Sequence, residues 1–437
     1  MKLDKISLAN FKGFEQLDLD LEPDVTVIAG VNGIGKSSLL YAICVVLSRA
    51  LPKFTPSRSN PRYFEDSDIY IEKDSLEVTM QLSVADQLLD IVIQRSSDEE
   101  TKEHISDPFL LLLRSKDQPQ KQDLRQLLSS RILTGELEES MLETRDMLTK
   151  LKITINQPIA VYFSSKRQIP TSRPRALPEQ KPFKTSQAYS FALDNREIEL
   201  REFLNWFRTQ EKLGKAQRVL DSLRAAVTEF IPEFTNLRLQ EKPKIAFFVE
   251  KNGKPFELYQ LSDGERGLLA LVFDLTRRLT IANPESSNPI AEGSALVMID
   301  EIELHLHPTW QRQVLPRLTS TFKNCQFIVT THSPLVIGEV ESKCIRFLER
   351  EEEQGKVIST IPSESYGLDA NRVLSELMGA SERNKEVTEI LHQIFKLIDD
   401  ENFDEAQAMI PLIEKIGELD PEITRAQTLI KFLEGEE

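Results

Sequence analysis

The chain has 437 residues, 40% of them hydrophobic and 28% charged, the balance of a globular protein with two domains or one large domain carrying insertions. A formal net charge of −16 argues against a chain-wide nucleic-acid surface. No apolar run approaches the roughly 18–20 residues of a membrane span, and the N-terminal residues carry no signal-peptide core, so a cytoplasmic protein without a membrane partner is expected.

In chain order, residues 5–11 and 14–21 alternate apolar and polar around Lys12-Gly13 and predict a strand pair. Residues 25–29 predict a buried strand ending at a glycine-rich loop, and 38–51 an apolar core helix. Residues 52–70 are polar and punctuated by proline. Two more strands are expected at 76–81 and 89–94. From about 100 to 152 the pattern turns charged and leucine-rich with helical spacing. A short strand is expected at 161–163 and a second helical block at 194–230. Strands at 238–240 and 244–249 precede a turn at Asn252-Gly253. A helix (265–280), a strand (295–299), a helix (308–322) and two strands (326–330 and near 344–349) follow. From 369 the pattern is helical to the end, where 403–416 and 421–433 form a helix pair of tetratricopeptide-like size; one pair does not make a repeat.

The charge is uneven. From Glu364 onward there are 18 acidic and 7 basic residues, so this tail holds most of the negative charge. Residues 165–184 run the other way, with Lys166, Arg167, Arg173, Arg175, Lys181 and Lys184 against Glu179. That segment is either a phosphate contact or a solvated, proline-interrupted loop. Cys44, Cys325 and Cys344 are widely spaced among apolar residues and read as buried reduced thiols. The lack of Cys-x-x-Cys excludes a zinc hook.

Four motifs carry chemistry. Gly30-Val-Asn32-Gly33-Ile-Gly35-Lys36-Ser37 fits G-x-x-x-x-G-K-[ST] between a strand and a helix. Its glycines turn backbone N–H groups around phosphate oxygens at a helix N-terminus. Lys36 would reach the β- and γ-phosphates of ATP, Ser37 would ligate Mg²⁺ and Ser38 would add a phosphate contact. Ala295-Leu-Val-Met-Ile-Asp300-Glu301 sets two carboxylates at the C-terminal end of a buried strand; Asp300 would hold Mg²⁺ through water and Glu301 would act as general base. Thr330-Thr331-His332-Ser333-Pro334 follows another strand, and His332 would contact the γ-phosphate and position the water.

The fourth motif is Leu261-Ser262-Asp263-Gly264-Glu265-Arg266, a second anion nest at a helix start. In isolation it reads as a helix cap with an acidic first turn. Beside the first loop, it is better read as facing the γ-phosphate held by a second copy of the chain. His305 and His307 invite a metal reading, but no further His or Cys lies nearby; a loop crossing between copies is favoured.

Together these motifs resemble the ABC ATPase superfamily, in the branch of SMC, RecF and the overcoming-lysogenization-defect ATPases. Asn10-Phe11-Lys12-Gly13-Phe14, the run from Ile299 to Pro308 and Thr331-His332-Ser333-Pro334 carry that likeness. Val161-Tyr-Phe-Ser-Ser-Lys-Arg167 and Tyr366-Gly-Leu-Asp-Ala-Asn371 make the Septu-type antiviral ATPases, including retron-associated ones, look most similar. The resemblance implies an α/β P-loop head with an antiparallel β subdomain, a helical insertion and a short C-terminal helical tail. The expected divisions are 1–100 and 236–362 for the head, 101–235 for the insertion and 363–437 for an acidic, partner-binding tail.

It also implies ATP and Mg²⁺, assembly with itself as a dimer or more, and a separately encoded HNH nuclease, with DNA or a retron RNA/DNA–protein complex as further partners. Asp263 and Glu265 depart from the transporter pattern but are ordinary in this branch. The family's Mg²⁺-sensing glutamine has no obvious counterpart; Gln168, with Arg167 beside it, is the candidate. About 75 helical residues follow the last core strand, with no DxD pair, so no nuclease site is expected. A DNA-repair or DNA-end-binding ATPase of the RecF type is the alternative.

Overall fold

The computed structural model describes residues 1–84, 87–97, 109–115, 148, 157–167, 182–198, 200–213, 217–242, 245–351, 355–380, 383–414 and 421–434. The chain divides into two compact units, Met1–Leu368 and Asp369–Glu437.

In the first unit, β1 (Lys2–Phe11) and β2 (Phe14–Asp20) form a hairpin, β3 (Val25–Gly30) enters the glycine loop and α1 (Lys36–Phe54) leaves it. β4 (Ser75–Val84), β5 (Gln87–Ser96), β6 (Phe109–Ser115) and β7 (Ile159–Phe163) follow. Next come α2 (Leu200–Leu213), α3 (Gln217–Phe230), β8 (Phe234–Gln240), β9 (Ala246–Lys251) and β10 (Lys254–Glu257). α4 (Asp263–Ala282), β11 (Ala295–Ile299), α5 (Pro308–Thr321), β12 (Cys325–Thr331), β13 (Ile345–Arg350) and β14 (Val357–Thr360) complete it.

The central sheet has the order β14-β13-β3-β12-β11-β7. It is parallel apart from β14, which pairs antiparallel with β13. β11 and β12 are buried along their whole length, which is why they read as unbroken apolar runs and not as alternation. An antiparallel sheet, β2-β1-β4-β5-β6, lies beside it. Its strand β4 alternates buried and part-exposed positions, as expected for a sheet with one face on a core. α1 fills the space between: Leu39, Ile43 and Val46 share one apolar cluster with Leu3 and Leu8 of β1, Met80 of β4 and Met298 and Ile328 of the central sheet. By length and composition α1 could cross a membrane, yet most of its residues are buried in the core, and it extends beyond the 38–51 run read from sequence.

Two strands fall inside the span 101–235 expected to be mainly helical. β6 pairs with β5, Ile91 opposite Leu111, and β7 forms the edge of the central sheet beside β11. The helical spacing expected between 116 and 152 lies outside the described residues except for Leu148. A third sheet, β10-β9-β8, turns at Asn252-Gly253, both with positive φ (52° and 74°).

The second unit packs α6 (Lys385–Asp399), α7 (Phe403–Glu414) and α8 (Pro421–Glu434) around Ile394, Ile398, Ala406, Ile410, Ala426 and Ile430. The last two helices are the pair read from the apolar spacing, and α6 lies in the stretch from 369 read as helical.

Candidate active site

Because β3, β7, β11 and β12 run parallel, their C-terminal ends open on one edge, the usual ligand position in such sheets. The loop after β3 depends on glycine where the backbone leaves the region open to other residues. Gly35 has φ 110°, and a Cβ there would lie 2.4 Å from the ring of Phe14. The aromatic end of the Asn10–Phe14 turn thus forms the floor of the loop. Lys36, 7% exposed, donates from Nζ to the carbonyls of Gly30 (2.7 Å) and Val31 (3.0 Å). Burial lowers its pKa, and Glu303, Asp300 and Glu301 oppose that shift. Asn32, Gly33 and Ser37 are exposed and Ser38 is half-buried.

Ser37 Oγ donates to Asp300 Oδ1 at 3.0 Å, so the first two motifs meet directly. The same carboxylate oxygen accepts from Thr330 Oγ1 at 2.6 Å, and the Asp300 amide donates to the Phe163 carbonyl of β7 at 2.8 Å. Burial, and next to it the Asp300 carboxylate, pushes the Tyr162 hydroxyl pKa upward.

Glu301 sits in the left-handed backbone region, φ 48°, at a cost of about 1–2 kcal/mol for a residue with a Cβ. Bonds on both sides hold it there. Its amide donates to Thr330 Oγ1 at 2.8 Å, and its carbonyl accepts from Arg167 Nη2 at 2.7 Å. Arg167, 6% exposed, also donates to the carbonyls of Asp300 (2.5 Å) and Ile302 (3.2 Å). One guanidinium therefore binds three consecutive carbonyls of the turn that carries both carboxylates. Burial lowers its pKa to about 10, against the opposing pull of Glu303, Asp300 and Glu301. Gln168, the candidate Mg²⁺-sensing residue, lies outside the described residues.

His332 follows β12 with its side chain 44% exposed. Its Nδ1 lies 2.9 Å from Glu303 Oε1, which also accepts the His332 amide at 2.8 Å. Glu303 Oε2 accepts from Thr331 Oγ1 at 2.8 Å. Glu303 is 6% exposed and was not singled out from the sequence. The available signal was a third acid two positions beyond Glu301, in a turn that doubles back. His305 has φ 62°, and His307 accepts from the Thr309 amide through Nδ1 as the N-cap of α5. The two histidines thus have different local settings.

Ser262 caps α4 in a reciprocal box with Glu265. Its Oγ accepts from the Glu265 amide (3.4 Å), and its own amide and hydroxyl donate to Glu265 Oε2 (2.9 and 2.8 Å). Lys251 Nζ donates to the other carboxylate oxygen at 2.6 Å. Burial opposes ionisation of Glu265, but the hydrogen bonds from Lys251 and Ser262 prevail and lower its pKa. Asp263 pairs with Arg266. Gly264 is needed because a Cβ would lie 2.4 Å from the His305 carbonyl oxygen. Ser262 and Asp263 are exposed, and among the described residues no hydrogen bond joins them to the glycine loop of the same chain.

A P-loop after β3, a carboxylate pair after β11 and an antiparallel sheet flanking α1 define an ABC-type ATPase head. Residues 1–337 match the model of the AAA ATPase domain family, and the chain belongs to that family. It is 27% identical to the retron Ec83 probable ATPase of Escherichia coli, over 92% of this chain and 81% of that protein. It is also 27% identical to the retron Vc95 probable ATPase of Vibrio cholerae serotype O1 biovar El Tor, over 87% of this chain and 80% of that one. The Septu protein PtuA of Bacillus mycoides (strain KBAB4) is 24% identical over 93% of this chain, which spans about half (48%) of its length.

Proposed function

We propose that this chain binds and hydrolyses ATP in sites completed by a second copy of itself, and that the resulting closure controls a separate HNH nuclease in antiviral defence. The observation that carries the reading is the mutual bonding of four distant segments. Asp300 Oδ1 accepts from both Ser37 and Thr330, while Arg167 and Glu303 tie the same turn to the ends of β7 and β12. In this reading Lys36 contacts the β- and γ-phosphates, with Gly30, Asn32, Gly33, Gly35 and Ser38 around them, and Glu301 accepts the proton of the attacking water. His332 steadies that water and the γ-phosphate. Ser37 Oγ and Asp300 Oδ1 are hard oxygen donors 3.0 Å apart, a donor set that fits Mg²⁺. When bound there, the ion neutralises charge on the phosphate oxygens.

The exposed Ser262 and Asp263 at the start of α4 support sharing between copies. Their hydroxyl and amides begin a 20-residue helix, Asp263–Ala282, whose N-terminus favours an anion. In the closed pair, Ser262, Asp263, Gly264 and Glu265 meet the nucleotide of the other copy. The defence setting and the cytoplasmic location rest on the likeness to retron and Septu ATPases. The acidic tail is the segment assigned to the nuclease, and cleavage belongs to that partner.

The test is phosphate release by purified protein with ATP and Mg²⁺, compared with Lys36→Ala, followed by co-purification with any HNH protein found encoded beside it. Turnover lost in the variant and a stable complex support the reading. ATP hydrolysis with no nuclease partner but salt-sensitive DNA binding through 165–184 would favour the RecF-type alternative.

A further inference from the structure

We propose that Glu303 is a positioning residue for His332: its carboxylate fixes the imidazole so that Nε2 alone is presented to the reacting groups. The inference deepens the ATPase reading above and rests on it for its kinetic part.

Glu303 is 6% exposed, and among the described residues its carboxylate faces three groups at the end of β12. The Thr331 hydroxyl donates to Oε2 and the His332 amide donates to Oε1, while His332 Nδ1 lies 2.9 Å from Oε1 in a close ion-pair contact. The first two anchor the carboxylate to the strand, so the third sets the ring relative to the backbone. An ionised carboxylate only accepts hydrogen bonds. Nδ1 must therefore carry a proton, whereas a free neutral imidazole favours the proton on Nε2. Among the described residues Nε2 has no hydrogen-bond partner in the protein. Without the carboxylate, a half-exposed imidazole would sample other rotamers and the other tautomer.

The same turn brings the tether near the rest of the site. Glu303 lies two residues beyond Glu301, whose backbone Arg167 and Thr330 hold. Its charge is also the foremost one acting on both Lys36 and Arg167. Oriented donors and acceptors that need no rearrangement during reaction are worth more than the same groups left mobile.

The experiment combines imidazole ¹⁵N spectroscopy with kinetics on Glu303→Ala, Glu303→Gln and His332→Ala. In the wild-type protein His332, assigned by its loss in His332→Ala, is expected to show the Nδ1-protonated form. In Glu303→Ala that signature should shift to the Nε2-protonated form. ATP affinity should stay within about threefold while kcat falls roughly 10–100-fold, the range for an orienting partner. The Glu303→Ala/His332→Ala pair should be no slower than His332→Ala alone. Glu303→Gln keeps the side-chain volume and an acceptor oxygen, and should recover part of kcat; it also serves if the alanine variant folds poorly. An unchanged His332 tautomer in Glu303→Ala, or losses that multiply in the double variant, would overturn the proposal. The spectrum is read without turnover, so absence of ATP hydrolysis would sink the site reading while the tether stands or falls on its own.

Discussion

Thr330 joins the two acidic residues that follow β11 through one oxygen: Oγ1 donates to Asp300 Oδ1 at 2.6 Å and accepts from the Glu301 amide at 2.8 Å. The strand carrying the histidine thereby sets both residues of the carboxylate pair. Thr330→Val keeps the volume of the side chain but leaves the Glu301 amide without that acceptor. It should cost about 1–3 kcal/mol of stability and at least a tenfold loss of kcat. Chemical denaturation and a phosphate-release assay measure the two effects; an unchanged kcat would remove Thr330 from the site.

Arg167 binds the three carbonyls of the 300–302 turn with a planar fork that lysine cannot reproduce. Arg167→Lys should therefore behave like a loss of function, with kcat depressed and ATP affinity nearly intact, because the guanidinium touches the turn and not the glycine loop. A variant with wild-type turnover would show that the left-handed Glu301 holds without it.

Gly35→Ala should abolish nucleotide binding, since a Cβ would enter the Phe14 ring and φ 110° is strained for alanine. Phe14→Leu in the same background opens space but leaves the backbone strain, so it should restore binding only in part. Calorimetric titration with ATP distinguishes full from partial recovery.

Asp274 supplies a pH-dependent element away from the site. Burial alone would raise its pKa, but Arg278 and Arg277 outweigh it and hold the group at about 2, with hydrogen bonds of 2.6 and 2.7 Å. A depressed folded pKa stabilises above the unfolded value of roughly 3.9 and is lost as pH falls toward 2. The contribution is on the order of 2 kcal/mol. Melting curves of wild type and Asp274→Asn should differ most near neutral pH and converge between about pH 4 and 2; a constant gap would contradict the assignment.

The parts of this molecule legible in its sequence are those built by local rules. β11 and β12 betray themselves as unbroken apolar runs because both faces are covered. The glycine loop shows its lysine and serine, and Ser262–Glu265 shows the spacing of a capping box. The parts that were not legible are long-range. Nothing local links Glu303 to a histidine in a different strand, or Arg167 to carbonyls beyond the next helical block. β6 was hidden in a leucine-rich stretch whose short apolar run suits a helix or a strand equally. β10 and β14, four residues each, are too short for a period to register.

The central claim is that ATP closes two copies over shared sites, and Glu301→Gln tests it most directly because it removes the carboxylate proposed as general base while leaving the proposed phosphate contacts of Lys36 and the glycine loop in place. Light scattering of this variant with and without ATP and Mg²⁺ should show the mass at least doubling with nucleotide, and Ser262→Arg in the same background should abolish that increase. A Glu301→Gln protein that binds ATP yet keeps the same mass would contradict the account.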